Sequence, residues 1–529
     1  MSTPSSQPAQ LLEPLLFNNL ASRQVVSDFS GGHLSSDGGI LLLRQIDEGL
    51  GISRKLAACF RDYRNPLFIE HSLRELVAQR LLALAAGYED LNDHNLLRLD
   101  PLFAVAVGKE DPLGMDRAPQ DQGKALASAS TLNRLELGNN KNTRCHKISA
   151  DHEAIEDTFL LMGARCLPRH SKEVVVDLDT TDDPLHGHQE GRFFHGFYGS
   201  YCYMPLFAFA GSVPLWAQLR TSEGDAARGA VEALKKIVAA VRKRCPKGRI
   251  IVRADSGFCR EEIMAWCEAQ EPQVYYCLGL ARNSRLVELI EEKFARVRES
   301  AILCGGVARG FTQFQYQTLK SWTRPRRVIA KAEVLQDKDN PRFIVTNLPV
   351  KGFEDQGQQC VDRFCAQKCY EDFYCARGDM ENQIKQQYLD LEADRTSTHW
   401  MASNQLRLWF RRFCSTDFSE VALPGLARHP TSEGDRRYHP ATIVKNRRHG
   451  HSEHAPGLRS AGVGISSSGP LQTSTSGSGS FDVRRRLKLL STKRDSFDQA
   501  PGDQGAEPAP NWPKSAPRVF DYLGESPDE

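Results

Sequence analysis

The sequence has no long apolar run and almost no excess of charge of either sign. None of its apolar stretches approaches the roughly 18 residues of a membrane span, and its N-terminus lacks the basic start and apolar core of a secretory signal. We therefore expect a cytoplasmic protein without a membrane segment. The net charge of the 529 residues is only +2, so any surface that attracts nucleic acid must be local.

Motifs for nucleotide triphosphates and for zinc are also missing. The glycine pairs Gly31-Gly32 and Gly38-Gly39 lack the Lys and Ser or Thr of a P-loop. The 14 cysteines lie scattered in apolar segments, which is typical of reduced, buried thiols. Four of them cluster without the spacing of a zinc site: Cys360, Cys365, Cys369 and Cys375. Three histidines in a glycine-rich loop indicate a turn rather than a zinc site: His186, His188 and His195.

Carboxylates are present where strands end. The stretch VVVDLDTTDDPLHGHQEG, residues 174–191, is a β-branched run that leads into Asp179, and residues 250–253 lead into Asp255 in the same way. A valine-rich strand is buried, so acids at its end lie beside the core with little water. A third acid, Glu381, follows at helical spacing. Acids about 4 Å apart repel by roughly 4 kcal/mol per pair at an effective dielectric of 20, which predicts a bound cation, and carboxylate oxygens favour Mg²⁺.

Each acid could also have a purely structural role. Asp179 can cap a turn at the end of its strand, and Asp255 can cap a helix N-terminus. Glu381 can lie on a solvated helix face and pair with Lys385, for about 0.2 to 0.5 kcal/mol. Three neighbouring carboxylates are alternatives for the first acid: Asp177, Asp182 and Asp183.

The order of periodic segments predicts an α/β fold. After a flexible leader at residues 1–22, helical periodicity dominates residues 23–165. Three strand-like runs, a helix, a strand, a helix and a strand then follow in residues 166–285, which is the order of a ribonuclease-H-like mixed sheet. In that fold the first and fourth strands are neighbours, which would bring Asp179 and Asp255 together.

The third acid comes long after the second. A normal connection has about 2 to 6 residues, so we expect residues 286–349 to be an inserted β-rich subdomain, and residues 350–410 to complete the catalytic domain. At about 100° per residue, one helical stripe carries the acid, two cations and two aromatics. The members of this stripe are Tyr374, Arg377, Glu381, Lys385 and Tyr388. We expect Arg377 and Lys385 to hold phosphates and Tyr374 to pack on a sugar or base.

Residues 411–529 lose this patterning. They are rich in Arg, His, Ser, Gly and Pro and have little apolar area to offset the roughly 1 to 2 kcal/mol of backbone entropy per ordered residue. We expect a disordered tail, produced either by a shifted reading frame or by a natural extension.

With these motifs placed, the chain resembles bacterial insertion-sequence transposases of the DDE superfamily, most closely the group 1 type. The matching stretches are DGGILLLRQID (37–47), VVVDLDTTDDPLHGHQEGRFFHGFYGSYCYMPLFAF (174–209), VRADSGFC (252–259), YCARGDMENQIK (374–385) and DRTSTHWMASNQLRLWF (394–410). The resemblance implies that Asp179 in the D-x-T signature, Asp255, and Glu381 in the Y-x2-R-x3-E signature are the catalytic and metal-binding acids. Related transposases often carry a lysine seven residues beyond the glutamate, where this chain has Tyr388, so Lys385 would substitute.

The resemblance also implies a reaction and partners. The reaction is cut-and-paste DNA transposition with two Mg²⁺ ions, for which Mn²⁺ can substitute. The partners are the double-stranded terminal inverted repeats, target DNA and a second copy of the chain, on the nucleoid of a bacterium. Residues 23–165 would bind the DNA end. Two alternatives stay open: an inactive, truncated relative that only binds DNA, and a nuclease of the same fold.

Overall fold

The computed structural model describes residues 15–20, 23–27, 35–137, 146–335, 338–350 and 362–414, the first two ranges by their backbone alone. Part of the predicted leader forms a strand, β1 (Leu15–Leu20), which pairs antiparallel with β2 (Arg23–Ser27). The tail predicted to be disordered lies outside the described residues beyond residue 414. Nothing in the described part is a helix long and apolar enough to span a membrane.

The N-terminal region is mainly helical, as its periodicity predicts. The helix α3 begins with a capping box, in which Ser72 accepts from the backbone of Glu75 and Glu75 accepts from the backbone of Ser72. Its elements are α1 (Ile40–Leu50), α2 (Ile52–Ala57), β3 (Phe60–Asp62), α3 (Leu73–Ala85), α4 (His94–Leu97), α5 (Pro101–Val107), α6 (Ala129–Glu136), β4 (Ile148–Ala150) and α7 (His152–Cys166).

A mixed sheet and a small separate one follow. The elements are β5 (Glu173–Thr180), β6 (Asp183–Pro184), β7 (Phe193–His195), β8 (Ser200–Tyr203), β9 (Leu206–Ala210), β10 (Val213–Gln218), α8 (Ala230–Arg244), β11 (Arg249–Ala254), α9 (Glu261–Glu268) and β12 (Tyr275–Leu280). The short strands β6, β8 and β7 pair with one another in a three-stranded sheet. Five of these strands lie in the order β10-β9-β5-β11-β12, which is 3-2-1-4-5 in chain order. The prediction that the first and fourth strands are neighbours is confirmed, because β5 and β11 pair in parallel.

The insertion between the second and third acids extends this same sheet. Its elements are α10 (Ser284–Glu288), α11 (Glu291–Leu303), β13 (Val307–Tyr316), β14 (Arg326–Leu335), β15 (Lys338–Asp339) and β16 (Arg342–Thr346). The strand β16 pairs antiparallel with β12, and β14 and β13 continue the order outward. The inserted strands therefore add to the catalytic sheet rather than fold on a sheet of their own.

The last described elements cover one face of the sheet. They are α12 (Ala366–Lys368), a π-helical turn (Cys369–Tyr374), a 3₁₀ turn (Cys375–Arg377), α13 (Gly378–Leu391) and α14 (Met401–Phe413). Strand residues of even number in β5 and β11, such as Val176 and Val252, pack with α8 and α9 on one face. Ile251 on the opposite face packs with Cys369 and Phe373. This second face carries the acids.

Candidate active site

The first two acids are placed by one strand register. In the parallel pair of β5 and β11, Asp177 lies opposite Arg253 and Leu178 opposite Ala254. Asp179 continues β5, and Asp255 directly follows the end of β11, so the pleat puts both acids on the same face at the same edge of the sheet. Asp255 also caps the following 3₁₀ turn, accepting from the backbone of Gly257 at 2.9 Å. Its capping role and its place beside Asp179 therefore coexist.

The third acid reaches this edge through an irregular helix. Glu381 lies in the first turn of α13, directly after the π-helical and 3₁₀ turns that contain Tyr374 and Arg377. The uniform α-helical stripe that we expected is therefore interrupted, because the geometry between Tyr374 and Glu381 is not 100° per residue. Arg377 and Glu381 nevertheless meet, in an ion pair.

Arg377 joins the first acid to the third. One of its nitrogens, Nη1, lies 3.3 Å from Oδ2 of Asp179, and the other, Nη2, donates to Oε1 of Glu381. The guanidinium is buried, with 8% of the residue exposed. A buried cation between two carboxylates offsets their mutual repulsion, so Arg377 neutralises part of the acid cluster.

Burial and neighbouring charge raise the pKa of the first two acids. Burial raises the pKa of Asp179 to about 7; the charges of Asp255 and Glu381 add to the rise, and Arg377 opposes it. Burial also raises the pKa of Asp255, again against Arg377 and with Glu381 adding to it. Such mutual influence is expected of carboxylates gathered in one site.

The carboxylate oxygens of the site are suitable ligands for a divalent metal, but the three side chains are not arranged to coordinate one ion together. Within the described ranges, no set of three His, Cys, Asp or Glu side chains is arranged to hold a metal ion. The reason is visible at Arg377, to which oxygens of Asp179 and Glu381 are turned. Carboxylates are the ligands that Mg²⁺ prefers. All three could bind the same ion only if Arg377 moved away from the first and third acids.

The other predicted contact residues are in different surroundings. Tyr374 is largely buried, which raises the pKa of its phenol, and its hydroxyl lies over Gly279 of β12. Lys385 is exposed one turn after Glu381. Tyr388 packs against the apolar cluster that includes Met380 and Ile384, so its ring belongs to the core.

Sequence reasoning missed two side chains near the acids. Arg253 is buried and donates to both carboxylate oxygens of Asp177, through Nε and Nη2. Tyr198 lies in the turn between β7 and β8, and burial together with the charges of Asp182 and Asp179 raises its pKa to about 12. A signal for Arg253 existed, since a charged residue at a core-facing strand position needs a partner. Tyr198 carried no such signal.

A large polar cleft borders the loop with the HGH sequence. It has a volume of about 1310 Å³ and is lined by His186, Gly187 and Gln189 together with Arg80 and Asp394. His188 accepts through its backbone oxygen from His399 at 2.9 Å. In the described part of the chain these histidines belong to no group of three side chains that could hold a metal ion.

The family of the chain follows from a match over residues 17–416 to the family model described as Transposase DDE domain group 1. The chain belongs to this family. The protein is therefore a DNA transposase, an enzyme that cleaves and transfers DNA strands, and DNA is its partner. Transposases of this superfamily generally use divalent metal ions, which agrees with the donor set described above.

Other comparisons add little. The cryo-EM structure of a piggyBac transposase synaptic complex with hairpin DNA is 10% identical in sequence, with a TM-score of 0.37, and the likeness covers 77% of this chain and 78% of that one. This level of similarity supports no argument about fold or function. No curated protein matches the chain.

Proposed function

We propose that Asp179, Asp255 and Glu381 are the catalytic acids of this transposase and that they bind two Mg²⁺ ions, which Mn²⁺ can replace. The observation that carries the proposal is the convergence of the three acids. Adjacent strands β5 and β11 supply two, α13 supplies the third, and Arg377 links the third to the first. When bound, the ions would activate the attacking oxygen and stabilise the leaving one.

The neighbouring side chains would then bind DNA. If its carboxylate partners held metal, Arg377 would be available to a phosphate, for which its planar fork is suited. Lys385, exposed one turn further along α13, adds a second cation on the same side. Tyr374, which we propose to pack on a sugar or base, is largely buried and lies within the field of Arg377 and Asp255.

The substrates that we propose are the terminal inverted repeats of the element and target DNA. Water attacks the phosphorus at an element end and the bond from phosphorus to the 3′ oxygen breaks, so that a 5′ phosphate forms and the 3′ oxygen takes up a proton and leaves as a hydroxyl. That 3′ hydroxyl later attacks a target phosphodiester and displaces a target 3′ hydroxyl, so this second step exchanges one phosphodiester for another. Two ends must be paired for this, which favours a homodimer. Action on the bacterial nucleoid stays a prediction.

Substitution of each acid tests the assignment. We expect Asp179→Asn, Asp255→Asn and Glu381→Gln each to lower Mg²⁺-dependent nicking of a terminal-repeat duplex by at least about 100-fold, because each removes charge that the transition state requires. The measurement is single-turnover nicking followed on a labelled strand. Asp372→Asn is the control, because Asp372 is exposed in the same segment.

The assay also assigns the first acid. Full activity in Asp179→Asn would refute its role. Loss of activity in the Asp372 control as well would show that the segment tolerates no charge change, and the assignment would then fail. Wild-type protein that binds the repeat but never nicks it would identify an inactive relative.

A further inference from the structure

The ion pair between Asp177 and Arg253 joins the two strands that lead into Asp179 and Asp255, and it contacts the turns that precede the helix of Glu381. Arg253 Nε lies 2.5 Å from Asp177 Oδ1, and Nη2 lies 2.7 Å from Oδ2. The same guanidinium donates to the backbone oxygen of Phe373 through Nη1, and Nη2 lies 3.3 Å from that of Ala376. These two carbonyls flank the segment that contains Tyr374.

Each residue of the pair lies close in sequence to one of the acids. Asp177 precedes Asp179 by two residues on β5, and Arg253 precedes Asp255 by two residues at the end of β11, so all four side chains share one face of the sheet. The carbonyl contacts lie just before Arg377 and Glu381. A displacement of the guanidinium would therefore change the separation of the third acid from the first two.

The pair is more buried than a surface ion pair, with 3% of Asp177 and 8% of Arg253 exposed. Buried ion pairs of this kind add little net stability compared with apolar side chains of the same size, so stability alone does not account for the pair. The guanidinium also stacks on the Phe373 ring, 5.3 Å from its centroid. Five directional contacts on one planar group fix an orientation, which is what a metal site needs from its surroundings.

We propose that Asp177 and Arg253 are positioning residues that hold the 369–381 segment in register with β5 and β11, and so set the geometry in which the three acids bind metal. This inference rests on the proposed function of the acids. It also accounts for Asp177, which the sequence left as an alternative first acid: its oxygens are committed to Arg253, and it acts on the site through that residue.

The experiment compares Arg253→Lys and Asp177→Asn with a matched control, Arg326→Lys. Arg326 on β14 is equally buried, with 4% exposed, and pairs with Glu261 at 2.6 Å and Glu268 at 2.9 Å on α9, away from the acids. Lysine keeps the charge at each site but cannot make the forked contacts. Thermal unfolding of the full chain first establishes how far each variant is destabilised.

The first measurement is hydrogen exchange in the protein without metal or DNA. We expect faster exchange confined to residues 369–381 in Arg253→Lys and Asp177→Asn, and none there in Arg326→Lys. If exchange became faster throughout the protein, and to the same extent as in the control, the proposal would be overturned. If Asp177→Asn does not fold, the result for Arg253→Lys alone tests the proposal, since this variant keeps the charges of both residues of the pair.

The second measurement is Mn²⁺ affinity by paramagnetic resonance, with nicking alongside. We expect the Mn²⁺ dissociation constant to rise about 10- to 100-fold in both pair variants and to stay unchanged in Arg326→Lys. Faster exchange in residues 369–381 together with an unchanged Mn²⁺ dissociation constant would contradict the positioning role. Wild-type protein that neither binds Mn²⁺ nor nicks DNA would refute the proposed function instead, while the exchange result would still report on the contact.

Discussion

Arg377 binds two of the acids of this transposase through one guanidinium. Its partners are Asp179 and Glu381, whose oxygens the proposed reaction requires for the ions. The guanidinium thus offsets repulsion between acids, of which Asp179 is already costly to ionise because of its burial. Metal binding would release it toward a DNA phosphate.

Removal of this cation should make the protein depend on metal for stability. We expect Arg377→Met to lower Tm without divalent ions and to gain more Tm on addition of Mg²⁺ than the wild type does, because the metal then relieves the whole repulsion. Differential scanning fluorimetry with and without Mg²⁺ measures this. Arg309→Met, which removes an exposed partner of Glu371, is the control. An equal Mg²⁺ effect in wild type and Arg377→Met would contradict the competition.

Lys385 should contribute to DNA affinity independently of the base sequence. We expect Lys385→Ala to weaken binding of terminal-repeat and unrelated duplexes to the same extent and to reduce the slope of log K against log salt by about 1, as the loss of one phosphate contact does. Fluorescence anisotropy at several salt concentrations tests this, with Lys235→Ala on α8 as the control. A sequence-dependent loss would indicate base contact instead.

The turn that precedes the helix of Glu381 is packed against β12 at a glycine. A Cβ on Gly279 would lie 2.5 Å from the hydroxyl of Tyr374, 2.8 Å from the backbone nitrogen of Ser256 and 3.0 Å from the backbone carbon of Asp255. The first two contacts are closer than a real Cβ atom comes, so either this turn or the segment after β11 would have to move. The glycine is required by packing here, not by backbone conformation.

Gly279→Ala should therefore lower activity more than stability. We expect a loss of about 1 to 3 kcal/mol in the free energy of unfolding, as for other overpacked sites, together with a large fall in nicking. The control is Gly310→Ala on β13, where a Cβ would meet the flexible end of Lys293 and a methyl of Val297 away from the acids. Urea unfolding and nicking are measured on both variants. Equal activity in the two would show that the contact at Tyr374 does not matter for catalysis.

At the scale of the whole described region, one buried acid ties three helices together. Glu136 on α6 is fully buried and lies 2.6 Å from Arg80 on α3 and 2.6 Å from Arg407 on α14. The helical region before the sheet is thus joined to the last described helix after it. The two arginines overcome the cost of burial and hold the pKa of Glu136 at about 2, below its usual 4.5.

This pKa predicts a pH-dependent contribution to stability. Because the folded value is depressed, the contribution is complete above about pH 4.5 and disappears as pH falls toward about 2; the fall from 4.5 to about 2 corresponds to roughly 3 kcal/mol. We expect Glu136→Gln to be less stable than wild type at pH 7, with the difference shrinking below pH 4.5. Urea unfolding across this range tests it, with exposed Glu232→Gln as control. A difference that is constant with pH would refute the assignment.

The strands that lead into the first two acids were predictable because they depend on local patterns. Valine-rich runs that end in Asp179 and Asp255 indicate buried strands, and the order of strands and helices is that of a ribonuclease-H-like sheet, in which β5 and β11 are neighbours. The roles of the three acids came from the family resemblance and stay a prediction. The same patterns did not predict that the inserted strands would extend the sheet, since strand pairing across a long connection is not encoded in periodicity.

The sequence by itself determined which residues could serve as acids and on which face of each strand they lie, because side-chain alternation is a property of the local backbone. Only the tertiary structure decided that Asp177 binds Arg253 while Asp179 faces Arg377, that a π-helical turn interrupts the predicted stripe, and that Tyr388 is a core residue. These outcomes depend on which surfaces meet, and contacts between residues distant in the chain are set by packing and by the pairing of buried charges.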